Sequence, residues 1–294
     1  MIEPIRINDN LIYFYWGRHP SHANMDMRLG GGCHVIHHSS EAIVVDTMGM
    51  PGQAEWLRQY LERELGISRF AVVNTHWHRD HIGGNHVFAD GPIYGHRRTR
   101  ELMLRDRTRL ETGDGDGHPP IKVTPPTVTF DGRLDLWLSD QKIELHEFTI
   151  HEQGHIAVLL PAQKTLIAGD MLEDPVCILR FNFAPPAVQL AEFERMLGLD
   201  VAHIYATHCN PATVKSGGYD KAFIRHMRDY MARMVREAGQ ADFDSRPASD
   251  FISDALATGE LTWWAPYTAV HALSLIHISE PTRPLYISYA VFCL

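Results

Sequence analysis

Phe70-Ala71-Val72-Val73-Asn74, an apolar run of strand length, passes without a break into Thr75-His76-Trp77-His78-Arg79-Asp80-His81-Ile82-Gly83-Gly84-Asn85. Three histidines and one aspartate stand within six residues, directly at the end of a buried strand. Neutral imidazole nitrogens and a carboxylate oxygen are the donors a borderline-soft divalent cation such as Zn²⁺ takes. A loop leaving a strand end points alternate side chains to one side, so His76 and His78 reach one cation while Asp80 and His81 reach a second beside it. Gly83 and Gly84 are expected to let the following backbone turn tightly.

The rest of the composition sets few limits. At 294 residues, 45% apolar and 21% charged, the chain buries a full layered core without disulfide staples. Its cysteines at 33, 177, 209 and 293 show no C-x-x-C spacing. A net charge of −9 disfavours a phosphate-backbone partner, so no nucleic acid is expected. No apolar run has the ~18 residues of a membrane span, and Met1-Ile2-Glu3-Pro4-Ile5-Arg6 lacks the order of a secretory signal. The expected compartment is the cytoplasm. Nineteen histidines are many, and their position matters more than their number.

Strands are expected at Leu11–Trp16, Cys33–His38, Glu41–Thr47 and Phe70–Asn74, with several more between Thr127 and Gly169 and a last one at His203–Thr207. Pro51 opens a helix with Trp56, Leu57, Tyr60, Leu61 and Leu65 on one face, closed by Gly66. Further helices are expected at Arg98–Leu110, Val188–Leu197 and Tyr219–Ala238, a loop at Thr112–Pro126, and a hairpin around Pro161–Lys164. Two strand groups, each interleaved with helices, predict an α/β layered fold from two strand-rich halves.

The histidine segment resembles the H-x-H-x-D-H signature of the metallo-β-lactamase superfamily. The resemblance covers most of the chain to about residue 215 and implies an αββα sandwich with the metal site at one edge, between the two sheets. Asp46 at a strand end matches the family's early aspartate, outside the ligand set. The third histidine of the first site is His151 or His155. Ile150-His151-Glu152-Gln153-Gly154-His155 is similar to the family's G-H-T-P-G-H pattern, which implies His151 as ligand and His155 behind it; Ile150, Glu152 and Gln153 depart from that pattern. Asp170 in Ala168-Gly169-Asp170 matches the carboxylate that bridges both metals, and His208 the final histidine. Cys209 stands where the family commonly has glycine and reads as a spectator. The implied set is His76, His78 and His151 on one metal, Asp80, His81 and His208 on the other, and Asp170 between.

Two cations a few ångströms apart bring the pKa of a shared water from ~15.7 toward ~7 and make bridging hydroxide available to attack a carbonyl. Asp80 would hold the second metal and relay the nucleophile's proton. The implied activity is a dinuclear metal-dependent hydrolase, with two Zn²⁺ or with Fe or Mn in one or both sites. Its substrate is a small molecule: a thioester, ester or lactone. Relatives of the glyoxalase II and lactonase type carry Asp at the position of Asp170, whereas β-lactamases generally carry Cys or Ser. His78 speaks against flavodiiron-type relatives, which have glutamate there. A mononuclear-iron enzyme similar to the persulfide dioxygenases is the alternative from another reaction class, and a β-lactamase or a non-catalytic metal-binding module are the others. Substrate contacts are expected from Arg98–Pro126 and Asp174–Pro186, the latter with Arg180, Phe181 and Phe183. Trp263-Trp264 reads as a dimer or domain contact, and oligomeric state is left open.

From Leu273 the chain changes character: LSLIHISEPTRPLYISYAVFCL is apolar-rich with neither helical nor strand period. It resembles the translation of a sequencing adapter, as on a metagenomic-type gene fragment. Residues 273–294 are therefore expected to be a non-native tail, and 1–272 one domain with a helical C-terminal part at 217–272.

Overall fold

The computed structural model describes residues 2–17, 29–113 and 119–279. Two sheets face each other. The first pairs β1 (Glu3–Asn8), β2 (Leu11–Tyr15), β3 (Gly32–His38), β4 (Glu41–Val45), β5 (Arg69–Asn74), β6 (Ile93–His96) and β7 (Val128–Phe130) in sequence order. It is antiparallel up to β4 and parallel from β4 onward. The second consists of β8 (Arg133–Leu138), β9 (Gln141–Ile150), β10 (Glu152–Leu160), β11 (Thr165–Ile167) and β12 (His203–Tyr205), in the order β12-β11-β10-β9-β8, with β11 and β12 parallel.

The period-2 alternation of the strands builds the layers. Val35, Val44 and Val72 point outward and pack under helix α1 (Pro51–Leu65) with its Ala54, Leu57 and Leu61. Their neighbours Ile36, Ile43, Val45 and Val73 point inward and meet Ile143, Leu145, Ile156 and Val158 of the second sheet. The outer face of that sheet, with Phe148, Ala157, Leu159 and Leu166, is covered by helical residues. An αββα sandwich results, as the resemblance implied. Pro51 sits in the first turn of α1, and Gly66 closes it in the left-handed region (φ 67°). Trp56 is not on the buried face: it is 37% exposed and stacks on Tyr60 at 5.3 Å.

A one-turn helix α2 (Arg79–Ile82) follows β5, and α3 (Arg97–Arg105) and α4 (Arg107–Thr112) follow β6. The single helix expected at 98–110 is thus broken at Asp106, whose carboxylate takes hydrogen bonds from the Arg105 and Arg109 guanidinium groups. β1 was not foreseen. Only Ile5 and Ile7 are apolar there, and Pro4 is tolerated because the strand lies at the sheet edge. The hairpin is a single turn, Pro161–Gln163, joining β10 to β11.

Beyond the second sheet lie α5 (Pro186–Leu197), α6 (Pro211–Lys215), α7 (Lys221–Glu237), α8 (Ser253–Thr258) and α9 (Thr268–Ser279). Phe223, Met227, Tyr230, Met231 and Met234 of α7 are core residues, packed with Phe193 and Met196 of α5. Trp263 packs on this core and donates to Thr268 Oγ1 at 3.1 Å, while Trp264 packs against Leu29, Ile178 and Tyr267, so both tryptophans make contacts within the chain. α9 runs across residue 272, and Ser274 donates to the Leu179 carbonyl at 2.7 Å. Residues 280–294 of the expected tail lie outside the described residues. No helix among the described residues is long and apolar enough to cross a membrane.

Candidate metal centre

The sandwich brings the carboxyl ends of its parallel strands to one edge, where open α/β sheets commonly hold ligands. Asp46 follows β4, His76, His78, Asp80 and His81 follow β5, Asp170 follows β11, and His208 lies beyond β12. His151 is the turn residue between β9 and β10. Asp46 and His151 both have left-handed backbones (φ 64° and 65°), a conformation side chains other than glycine's adopt at a cost of order 1 kcal/mol or more. Both are buried.

Two donor groups meet at this edge. His76, His78, His151 and Asp170 each offer an atom within 4.8 Å of the others, and so do Asp80, His81, Asp170 and His208. Asp170 belongs to both. In the first group His78 Nδ1 lies 2.8 Å from His76 Nε2 and 3.3 Å from His151 Nε2. Asp170 Oδ2 lies 3.8 Å from His76 Nε2 and 4.0 Å from His151 Nε2. In the second group Asp80 Oδ2 is 3.2 Å from His208 Nε2 and 3.3 Å from His81 Nε2. His81 Nε2 is 2.9 Å from Asp170 Oδ2. Separations near 3.3 Å are what ligands ~2.0 Å from a tetrahedral cation have from one another.

The opposite ring nitrogens are held as well, which fixes which nitrogen faces the centre. His81 Nδ1 contacts Asp46 Oδ2 at 2.7 Å, and His208 Nδ1 contacts the Gly30 carbonyl at 2.7 Å. His76 Nδ1 lies 3.1 Å from Thr75 Oγ1, and His151 Nδ1 lies 3.7 Å from Cys177 Sγ. His78 turns Nε2 toward Arg180 Nη1 (2.9 Å) and Glu152 Oε2 (3.7 Å). Asp170 Oδ1 is buried and has no hydrogen-bond partner among the described residues. A buried carboxylate oxygen without a donor is costly unless a cation answers it, so the donor set fits divalent metal.

The electrostatics agree. Burial and then neighbouring imidazoles push His76 well below the usual histidine range, and burial followed by Arg180 pushes His151 well below it and His78 down. Those rings are neutral, as metal ligands must be. Burial also lowers His81 and His208, but Asp170 and Asp80 outweigh it and lift His208 to about 10. Positive charge is therefore drawn to the second donor group.

Asp46 stands outside the donor groups. Besides His81 it accepts from the Thr75 amide (2.8 Å) and hydroxyl (2.7 Å). His155 also stands behind: its ring stacks on His76 at 4.4 Å, and its Nε2 is 3.4 Å from the Asp170 amide. Burial holds its pKa at about 3. Gly169 makes this possible, since its φ is 60° and a β-carbon there would overlap His155 Nε2. Gly83 and Gly84 act differently from expectation. Neither has positive φ; instead, β-carbons there would overlap the Gly49 carbonyl and Ala54, so they let the loop press against α1.

Several residues of the site carried no sequence signal. Glu152 accepts from Trp77 Nε1 at 3.1 Å, and burial, outweighed by His78 and Arg180, leaves its pKa at about 2. Glu173 and Cys177 flank His151, and burial and then Asp170 raise Glu173 to about 8. Tyr267, from the C-terminal part, packs with Leu29 and Ile178 and is pushed up by burial and then by Glu173, Asp80 and Asp170. Cys209 is buried and bonded to the Ala206 backbone, with its thiol pushed up by burial. Phe181 packs on the core beyond the second sheet.

Comparison with known proteins points the same way. A hydroxyacylglutathione hydrolase of Synechococcus sp. (strain JA-3-3Ab) is 30% identical over 139 residues, which are 46% of this chain and 44% of that protein. Another, of Synechococcus sp. (strain ATCC 27144 / PCC 6301 / SAUG 1402/1), is 27% identical over 220 residues, 70% of this chain and 75% of that protein. The chain spans about half the length of three such curated relatives. Among solved structures, a metallo-beta-lactamase from Pontibacter korlensis has a TM-score of 0.62 at 17% identity, covering 79% of this chain and 99% of that one. DIM-1 metallo-beta-lactamase has a TM-score of 0.61 at 18% identity, covering 79% and 97%. These likenesses concern the fold. The family model of the metallo-beta-lactamase superfamily matches residues 28–208, more than half of the chain and the whole span from before β3 to the last donor histidine. The chain belongs to the metallo-beta-lactamase superfamily.

Proposed function

We propose that the chain is a dinuclear metal-dependent hydrolase acting on a small carbonyl substrate: a thioester, ester or lactone. The observation that carries this is the pair of donor groups sharing Asp170. His76, His78, His151 and Asp170 would hold one divalent cation, and Asp80, His81, His208 and Asp170 the other, with zinc the expected metal. When bound, such a pair lowers the pKa of water and polarises a carbonyl. The protein's own part is positioning. Asp46 orients His81 through Nδ1, and Thr75 meets His76 in the same way. Asp80 lies beside His81 and His208 and would hold the second cation, and its carboxylate would relay the nucleophile's proton. Burial of the ligands limits water around the reacting atoms.

The hydroxyacylglutathione hydrolase relatives, by name thioester-type hydrolases, favour a thioester among the three substrate classes. The test is metal analysis of the purified protein together with a panel of thioester, ester, lactone, phosphodiester and lactam substrates. Two divalent ions per chain and turnover of an acyl substrate are expected. One iron per chain with oxygen consumption would overturn the reading in favour of an oxygenase.

A further inference from the structure

His151, Asp170 and His208, the donors that come from the second sheet, all touch one short strap of chain, residues 174–177. The Asp174 amide donates to the His208 carbonyl at 3.0 Å, and the Val176 amide donates to the Thr262 carbonyl at 3.0 Å. The strap's backbone is thus tied just before Cys177, whose side chain is buried in the core beyond the second sheet. Its sulfur lies 3.7 Å from His151 Nδ1, 3.3 Å from the Asp170 carbonyl and 3.4 Å from the Ile178 carbonyl.

A thiol has one hydrogen to give and a sulfur that accepts weakly, and a neutral imidazole has one N–H and one lone pair. His151 turns Nε2 to the first donor group, so with a cation there its ring hydrogen sits on Nδ1. Cys177 Sγ is the acceptor in reach of that hydrogen, because Glu173 Oε1 stands 3.9 Å from the same nitrogen, beyond hydrogen-bond distance. The thiol hydrogen is then left for the carbonyls, of which Asp170's is the nearer.

Both ends of this bridge need holding. His151 has a left-handed backbone (φ 65°), so its ring is not placed by a relaxed chain and depends on what the side chain meets. His81 and His208 have oxygen at Nδ1 at 2.7 Å, whereas His151 has the longer, softer sulfur contact. Asp170 Oδ1 has no hydrogen-bond partner among the described residues, and Oδ2 meets other donors, His76, His81, His151 and His208. That carboxylate is aimed from its backbone, whose amide lies 3.4 Å from His155 Nε2 and whose carbonyl takes the Cys177 S–H.

We infer that Cys177 is a positioning residue of the metal centre, one thiol setting the His151 ring and the aim of the shared Asp170 carboxylate together. The inference rests on the dinuclear reading above. Cys177 acts only through these two ligands, and because Asp170 belongs to both donor groups, its loss weakens the hold on both cations.

The experiment loads the full chain with Co²⁺, whose visible spectrum reports the geometry of its ligands, and measures affinity by chelator competition. It compares the wild-type protein with Cys177→Val, Cys177→Ser and Glu173→Gln. Valine fills the thiol's place without a polar atom, and serine keeps a shorter donor and acceptor. In Cys177→Val the affinity for both ions is expected to fall about tenfold or more and the spectrum to change, while the thermal midpoint of the metal-free protein stays close to wild type. Cys177→Ser is expected to fall between the two, and Glu173→Gln to stay nearer wild type than Cys177→Val. Wild-type affinity and spectrum in Cys177→Val overturn the inference. A lower metal-free midpoint with an unchanged spectrum marks packing alone and does the same. Loss in Glu173→Gln without loss in Cys177→Val gives the role to the carboxylate and also refutes it. If the wild-type protein binds a single Co²⁺, the dinuclear reading falls, and a tenfold loss of that ion in Cys177→Val still upholds the positioning role.

Discussion

Asp46 Oδ2 meets His81 Nδ1 at 2.7 Å, and the same carboxylate takes the amide and hydroxyl of Thr75. One side chain at the end of β4 thereby fixes both the start of the histidine loop and the ring that faces Asp80 and Asp170. Asp46→Asn puts an amide N–H where the His81 ring needs an acceptor. The expected outcome is a folded protein whose metal affinity falls about 10–100-fold, measured by competition with a chelator. Unchanged affinity would mean that His81 needs no such partner.

Asp80→Ala and His76→Ala each remove one donor from a different group. Both are expected to abolish turnover and to lower the metal content while leaving far-UV circular dichroism unchanged. Asp80→Ala should remove chiefly the second metal and His76→Ala the first, which quantitative metal analysis of the two variants distinguishes. Full activity in either would refute the site.

How much of this was legible beforehand depends on how local each signal is. Four donors fall within six residues, so their spacing alone announced a metal centre. Asp170 and His208 each follow an apolar strand, and a polar residue at such an end stands out. Glu152 and Glu173 do not, because they come together only when the β9–β10 turn and the segment before α5 fold onto the His78 and His151 rings; Arg180 was placed at the site's edge, but not against His78. The break at Asp106 also lacked a marker: no Gly or Pro is present, and the Asp106 carboxylate bonded by Arg105 and Arg109 comes from a residue type common within helices. Trp56 shows the reverse failure, an apolar residue in register with the buried face that turns out to stack at the surface.

His34 gives a pH prediction away from the centre. Buried in β3 and stacked on Tyr13 at 4.7 Å, it has its pKa driven by burial to about 3. Above the unfolded value of 6.5 the ring is neutral in both states and contributes no pH dependence. As pH falls below 6.5, the unfolded chain takes up a proton that the folded chain refuses until pH about 3, so stability is lost on acidification across that window. The slope from this one group approaches about 1.4 kcal/mol per pH unit. His34→Phe removes it. Urea titrations between pH 6.5 and 4 should show a shallower loss in the variant, and parallel curves would refute the assignment.

Asp174 ties the C-terminal part to the last donor histidine, His208. Its carboxylate accepts from Tyr219 (2.8 Å) and from the amide (2.9 Å) and hydroxyl (2.6 Å) of Thr262, while its own amide donates to the His208 carbonyl. Asp174→Ala strands the buried Tyr219 hydroxyl and removes the acceptor of Thr262, and is expected to cost about 1–3 kcal/mol of stability, measured by chemical denaturation. A change within 0.5 kcal/mol would show that water replaces the carboxylate at little cost.

A chain ending at Ala272 tests the proposed limit of native sequence. It gives up the Ser274 hydrogen bond to Leu179, worth about 1 kcal/mol. Both metals should remain, as read by metal analysis after gel filtration. Loss of folding would make 273–279 part of the working structure.

The donors divide by sheet: His76, His78, Asp80 and His81 hang from the first, and His151, Asp170 and His208 from the second. Metal bound there would clasp the open edge of the sandwich, joining two halves that also meet in the oily seam of Ile36, Ile43, Val45 and Val73 against Ile143, Leu145, Ile156 and Val158, and through the Tyr13 hydroxyl on the Thr207 carbonyl. Chelation would leave that seam closed and release the clasp, so the protein would fray from one rim inward rather than come apart, and amide exchange should quicken first in the loops beyond β5, β11 and β12.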